Sequence, residues 1–369
     1  MDVIWGILES VNFANVTPDD IPGKISTTYT PYVFALAFGL TSFTSYFGSP
    51  ITCWTPNEFK RGWIQYTLDY CFVENTYFWD MNNPDMPPEG FREDNEIRYY
   101  QWVQFILAGL GIAFMIPRSI WNYFNWVGGL PVEDIVKRAH EHRFAEEGAR
   151  KKTIKEIAKT LTAFEKRTQG NSTKVTAYYI LHKILNIVVV VIELFVFWKL
   201  IGFTISEFLG FKILSNSEWK LNGIFPRQTM CDFEVRTKGN IQKYSVQCVL
   251  VQNMTNEIVF VFIFYYLLLV LLIALYSIIS LIGFLSHRKN FIRDRTSVSR
   301  KFITNSLEKQ ASQENAKNEK KDHFDEDAPL IAQPAKLHNI SADTAVVLRL
   351  IEQNAGKNMS SDIISELME

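Results

Sequence analysis

The feature that most restricts this chain is a run of 19 residues, 99–117 (YYQWVQFILAGLGIAFMIP), that holds no charged side chain and is bounded by Arg98 and Arg118. As a helix it would be about 28 Å long, close to a hydrocarbon thickness of about 30 Å. Tyr99, Tyr100 and Trp102 at its start and Trp121 beyond its end are amphipathic aromatics of the kind that settle at membrane interfaces. A soluble helix of this composition would have no polar face to turn to water, so the run reads as membrane-spanning.

Over all 369 residues the net charge of -1 and mean hydropathy of -0.01 resemble those of a soluble protein only because apolar and charged residues are segregated along the chain. Residues 25–57 and 258–286 contain no Lys, Arg, Asp or Glu, and 175–208 is interrupted only by Lys183, Glu193, Lys199 and Glu207. Four spans are therefore expected, at 29–47, 99–121, 175–205 and 258–286. The first 24 residues carry no basic segment followed by an apolar stretch, so the first span is expected to act as its own insertion signal.

Two signals orient the spans. The cysteines, Cys53, Cys71, Cys231 and Cys248, lie only in the segments joining spans one to two (48–98) and three to four (206–257), which suits disulfides in an oxidising exterior. Segment 122–174 carries eleven Lys and Arg, and 288–301 carries six with Asp294 as its one acid, whereas 48–98 has four basic and nine acidic residues. The positive-inside rule places both termini and the middle segment in the cytoplasm. The fold class expected is a mainly α membrane protein, a four-helix bundle with a disulfide-linked α/β extracellular domain and a helical cytoplasmic domain.

Each segment has its own character. Residues 1–24 hold Trp5, Ile7, Leu8, Val11 and Phe13 at the spacing of a short helix, broken by Pro18 and Pro22, with acids Asp2, Glu9, Asp19 and Asp20; such a segment can lie on the membrane surface, fold into an aqueous vestibule, as its acids favour, or be a frayed terminus. Span one is rich in hydroxyls, and Thr41, Ser42 and Ser45 are candidates for a pore-facing stripe, with packing or back-bonding to the helix as the alternative. In the middle segment, Ile135, Ala139 and Phe144, then Ile154, Ile157, Leu161 and Phe164, mark helices with charged outer faces; His140 and His142, two apart, point in different directions and share no metal. Residues 240–250 alternate as a strand after a turn at Gly239-Asn240. In span three, Lys183 and Glu193 must face protein or water, Glu193 being nearest mid-span.

The tail, 287–369, divides into a polar stretch at 305–327, expected to be disordered, and helical patterning at 344–352 and 360–369 with Ser360 as N-cap. Glu326 with Leu330-Ile331 has the outline of an acidic dileucine sorting signal. Asn253-Met-Thr255 is the one sequon in the outer segments, a glycosylation candidate. No GxGxxG, GxxxxGK[ST], HExxH, GxSxG or CxxC occurs, so nothing supports an enzyme, and no cofactor, metal or nucleic-acid partner is expected.

Tyr99-Tyr100-Gln101-Trp102-Val103, the segment GSPITCWTP with Cys53, the position of Cys71, FPRQTMCDF around Cys231, GNIQKYSVQCVL around Cys248 and IPRSIW after span two occur in order over residues 30–290. Together they resemble the innexins, the invertebrate gap-junction channel proteins related to pannexins, with Tyr99, Tyr100, Gln101 and Trp102 matching the family signature. The segment Ile21-Pro22-Gly23-Lys24 departs from the usual approach to span one. The resemblance implies a plasma-membrane homo-oligomer, a ring of eight that docks onto a ring in the adjacent cell and can mix with other innexins, surrounded by lipid. It implies a pore lined by the N-terminal helix, with Asp2 and Trp5, and by span one. It also implies nested disulfides, Cys53–Cys248 and Cys71–Cys231, where sequence alone permits three pairings. An unpaired hemichannel that releases solutes, and a non-conducting four-span adhesion or scaffold protein, are the alternatives.

Overall fold

The computed structural model describes residues 19–74, 76–79, 85–201, 225–296 and 340–368. Asp2, Trp5 and the rest of residues 1–18, the end of the third expected span (202–205), the polar stretch 305–327 and the dileucine outline at Glu326 lie outside the described residues. The chain divides into two compact units, one of residues 26–116 and 187–273, the other of 1–25, 117–186 and 274–369.

In the first unit, α1 (Thr30–Tyr46) follows a π-helical segment, Ile25–Tyr29, that continues without a break from a helical turn, Ile21–Lys24, assigned to the second unit. Pro31 has no N–H to donate to the preceding turn, and the ladder widens to π spacing just before it. Beyond α1 come β1 (Thr52–Trp54), α2 (Arg61–Val73), β2 (Thr76–Tyr77), α3 (Glu89–Asp94), β3 (Glu96–Ile97) and α4 (Val103–Ala113). The strands β4 (Gln228–Thr237) and β5 (Asn240–Val249) form a hairpin at the centre of a five-stranded antiparallel sheet ordered β1-β5-β4-β2-β3. Its turn residues, Lys238 and Gly239, both have positive φ, as a two-residue turn matched to strand twist requires.

The second unit is helical: α5 (Ile116–Val127), α6 (Val132–Glu141), α7 (Glu147–Thr168), α10 (Ala342–Ala355) and α11 (Lys357–Met368). Two long helices, α8 (Lys174–Ile201) and α9 (Val251–Ser286), each contribute to both units. Its core joins Val132, Ile135, Val136 and Ala139 of α6 and Ile154, Ile157, Leu161 and Phe164 of α7 to Val346, Val347, Leu350 and Ile351 of α10 and Ile363 and Ile364 of α11.

Among the described residues three helical stretches, Val103–Asn125, Lys174–Lys199 and Val251–Ser286, are long and apolar enough to cross a membrane. The second expected span starts later than its apolar run: Tyr99–Trp102 form a turn, and the helix is interrupted at Phe114 and Met115, ahead of Pro117. The fourth begins seven residues before Ile258, because Gln252, Asn253 and Asn256 are buried against protein, where polar side chains are tolerated. Two smaller expectations fail. Phe144 lies in a turn after α6 and is exposed beneath the Arg143 guanidinium. Ser360 sits inside α11; the N-cap is Ser341 of α10, whose Oγ accepts from the Thr344 N–H at 3.2 Å.

Candidate functional site

The cysteine-bearing unit is locked at two points. Cys53 of β1 lies directly opposite Cys248 of β5 in register and is bonded to it. Cys71 of α2 is bonded to Cys231 of β4, which pins that helix onto the sheet. The sulfurs of Cys53, Cys71 and Cys248 lie within 4.8 Å of one another, but each is spent in a disulfide and offers nothing to a metal. Around the bonds Phe59, Phe233, Val246, Leu250 and Tyr100 are buried, and Phe59, Tyr244, Phe233 and Tyr70 form a chain of ring contacts 5.2–5.9 Å apart. Aromatics give a small domain the core that its few residues could not otherwise supply.

Tyr100 and Gln101 complete the end of α2. The last carbonyls of a helix have no partner within it. Tyr100 Oη lies 3.3 Å from the Cys71 carbonyl and 3.2 Å from that of Phe72, sharing its proton between them, and Gln101 Nε2 donates to the carbonyls of Phe72 at 2.5 Å and Val73 at 2.9 Å. The Tyr100 carbonyl in turn accepts from Gln252 Nε2 of α9 at 3.3 Å. Tyr99 packs edge-on to Phe225, and Trp102 is exposed.

In α1 the hydroxyls mostly turn back on their own helix. Thr41 is 0% exposed and its Oγ1 donates to Ala37 and Phe38 carbonyls at 3.0 and 3.1 Å, so it is removed from the pore-facing candidates: a side chain enclosed by its own subunit cannot line a pore. Ser45 Oγ donates to the Thr41 carbonyl at 2.9 Å and stays half-buried, while Ser42 Oγ is buried without a partner among the described residues. The exposed stripe of α1 is instead apolar, with Leu36, Leu40, Phe43 and Phe47. Its inner face meets α4, where Gly111 lies against Phe34, so close that a Cβ at 111 would sit 2.9 Å from Phe34 Cβ.

The glycosylation candidate is also corrected. Asn253 is fully buried, and the nitrogen that would carry a sugar donates to the Pro226 carbonyl at 2.9 Å. Glu193 is buried too, and neither carboxylate oxygen has a hydrogen-bond partner among the described residues.

The helical unit contains a charged cluster that sequence reasoning did not assemble. Lys183 Nζ lies 2.7 Å from Asp19 Oδ1 and 2.5 Å from Asp20 Oδ1, with all three side chains buried. His182 Nε2 is 2.9 Å from Asp19 Oδ2 and its Nδ1 is 3.1 Å from the Pro117 carbonyl. Tyr179 Oη donates to Asp19 Oδ1 at 2.8 Å, and Ser277 Oγ to Asp20 Oδ2 at 2.8 Å. Asp20 also caps the turn Ile21–Lys24 by accepting from the Gly23 N–H at 2.8 Å. Asn354 of α10 joins in, donating to the Asp19 carbonyl at 3.1 Å and accepting from Lys24 Nζ at 2.6 Å. Burial alone would raise the Asp19 carboxyl, but Lys183 and His182 beside it prevail and hold it well below the usual carboxylate range. The legible signal was Lys183 and His182 inside an apolar run, which called for buried acids to pair with them.

Long apolar helices together with a sheet cross-bonded by two disulfides define a mainly helical, disulfide-braced membrane protein. The innexin family profile matches residues 19–369, and the chain belongs to the innexins. It is 36% identical to innexin unc-9 of Caenorhabditis elegans over 276 residues, covering 68% of this chain and 71% of that protein. Innexin-12 of the same organism is 31% identical over 404 aligned positions, covering all of this chain and 91% of the relative. Innexin eat-5 is 28% identical, with 96% of this chain and 88% of the relative covered. Innexins are channel proteins, not enzymes, and membership makes this chain a subunit of a gap-junction channel of the plasma membrane.

Proposed function

We propose that the chain crosses the membrane four times with both termini in the cytoplasm, that eight copies form a ring-shaped hemichannel, and that two hemichannels dock between adjacent cells. The assembly passes ions and small metabolites passively, with selectivity set by pore width and lining charge. One observation carries the docking part of this reading. Both cysteine-bearing segments are tied by Cys53–Cys248 and Cys71–Cys231 into a single sheet, a rigid platform of the kind that end-to-end contact between two rings demands.

In this reading the continuous helix from Ile21 through Tyr46 is the first span, and the N-terminal residues before it, with Asp2 and Trp5, line the pore together with the face of α1 that bears Ser45; the buried hydroxyl of Ser42 takes no part. Subunits of other innexins can take places in the ring. An unpaired hemichannel drew its support from a glycan at Asn253 that would obstruct docking, and the burial of that side chain withdraws it. Images of the purified particle test the proposal: rings of eight, some stacked in pairs through the disulfide-bonded domains, are expected, and monomers or closed dimers without a central opening would overturn it.

A further inference from the structure

We propose that a cavity beside α7 binds the phosphorylated headgroup of an anionic phospholipid. The proposal rests on the reading that this unit faces the cytoplasm, where the membrane leaflet is anionic. The cavity is an open groove of about 300 Å³, walled by Gly129 and Leu130 on one side and by Lys159, Ala163, Phe164 and Arg167 of α7 on the other.

Chain connectivity puts it at the membrane surface. Gly129 comes four residues after Asn125, where one membrane-capable helix ends, and Arg167 comes seven residues before Lys174, where the next begins. The Gly129–Leu130 wall and the Arg167 end of the α7 wall therefore lie within a few residues of membrane-capable helices, and Lys159 lies about two turns of α7 further from them.

The chemistry suits a phosphate ester. Arg167 supplies a planar fork that can hold phosphate through two hydrogen bonds, and Lys159 supplies a compact point charge. The two are eight residues apart on α7, about 12 Å along its axis, so a headgroup carrying more than one phosphate can meet both. Leu130, Ala163 and Phe164 offer an apolar wall to the glycerol and upper acyl region. At about 100° per residue, Lys152, Lys155 and Lys166 fall within about 60° of one another together with Lys159 on the same face. Among the described residues none of these four lysines has a salt-bridge partner. Glu156, one turn from Lys159, is the acid that flanks this face.

The test uses the full-length protein purified in detergent and titrated with dioctanoyl phosphatidylinositol bisphosphate, with dioctanoyl phosphatidylcholine and with the free inositol trisphosphate headgroup, bound molecules being counted by native mass spectrometry. The anionic lipid is expected to bind and phosphatidylcholine not to. Lys159→Gln with Arg167→Gln should weaken binding by roughly 30-fold, at about fivefold per cation, and Glu156→Gln should strengthen it. Equal binding of phosphatidylcholine, or full occupancy in the double variant, would overturn the proposal. Binding of the free headgroup as tightly as the lipid would overturn the membrane source. Subunit number and conductance are read on the same double variant: loss of lipid from an intact conducting ring concerns this site alone, whereas a protein that never forms rings concerns the channel reading.

Discussion

Asp343 of α10 closes the first turn of α8 through Thr176: its Oδ1 accepts from the Thr176 N–H at 2.8 Å and from the Thr176 hydroxyl at 2.7 Å. Its other oxygen accepts from Ser172 Oγ at 2.6 Å. An acid from the distant tail thus satisfies the orphan donors at the start of a membrane-capable helix and complements its dipole. Glu352 and Asp362 add ion pairs to Arg295 at 2.7 Å and Arg150 at 2.5 Å, so the tail helices are a working part of the helical unit.

Replacing Asp343 by Ala removes the cap and strands buried donors. A loss of about 1–3 kcal/mol is expected, read as a lower thermal midpoint of the purified protein. An unchanged midpoint would show that the cap is dispensable.

Lys183→Met leaves Asp19 and Asp20 buried without their shared cation, which costs about 3–5 kcal/mol. The triple variant with Asp19→Asn and Asp20→Asn as well should recover part of that loss, since no charge is then left unpaired. A triple variant less stable than Lys183→Met would contradict the pairing.

The same cluster fixes a pH response. Because the folded Asp19 carboxyl is held below its ordinary value of 3.8, its stabilisation is fully present above that value and is lost only as pH falls further. With His182 replaced by Asn in both proteins, so that no imidazole faces the carboxyl, the gap in thermal midpoint between Asp19→Asn and its parent should therefore be the same at pH 7.5 and pH 5.5. A gap that closes at pH 5.5 would refute it.

Tyr100→Phe removes one shared hydrogen bond to the end of α2 and should cost about 1 kcal/mol, with Gln101→Ala costing no more, because the exposed Val73 carbonyl loses its donor while that of Phe72 keeps Tyr100. Equal midpoints for both variants and the parent would show that the signature does not hold α2.

The sequence was informative wherever a single local property decided the outcome. Charge-free runs disclosed the long helices, alternation at 240–250 disclosed β5, and the spacing of Ile154, Ile157, Leu161 and Phe164 disclosed the buried face of α7. It was silent where distant residues meet. Asp19 and Asp20 read as solvated acids of the N-terminal segment because their partner Lys183 is over 160 positions away. Thr41 and Asn253 were misread for the same reason, since a hydroxyl in a span or an Asn in a sequon carries no mark of what will cover it.

The central claim, that this innexin forms a conducting path between cells, is tested most directly by dual whole-cell recording from paired cells that express it. Junctional current and transfer of a small dye are expected wherever the protein accumulates at the contact. Protein present at the contact with neither current nor dye transfer would contradict the account.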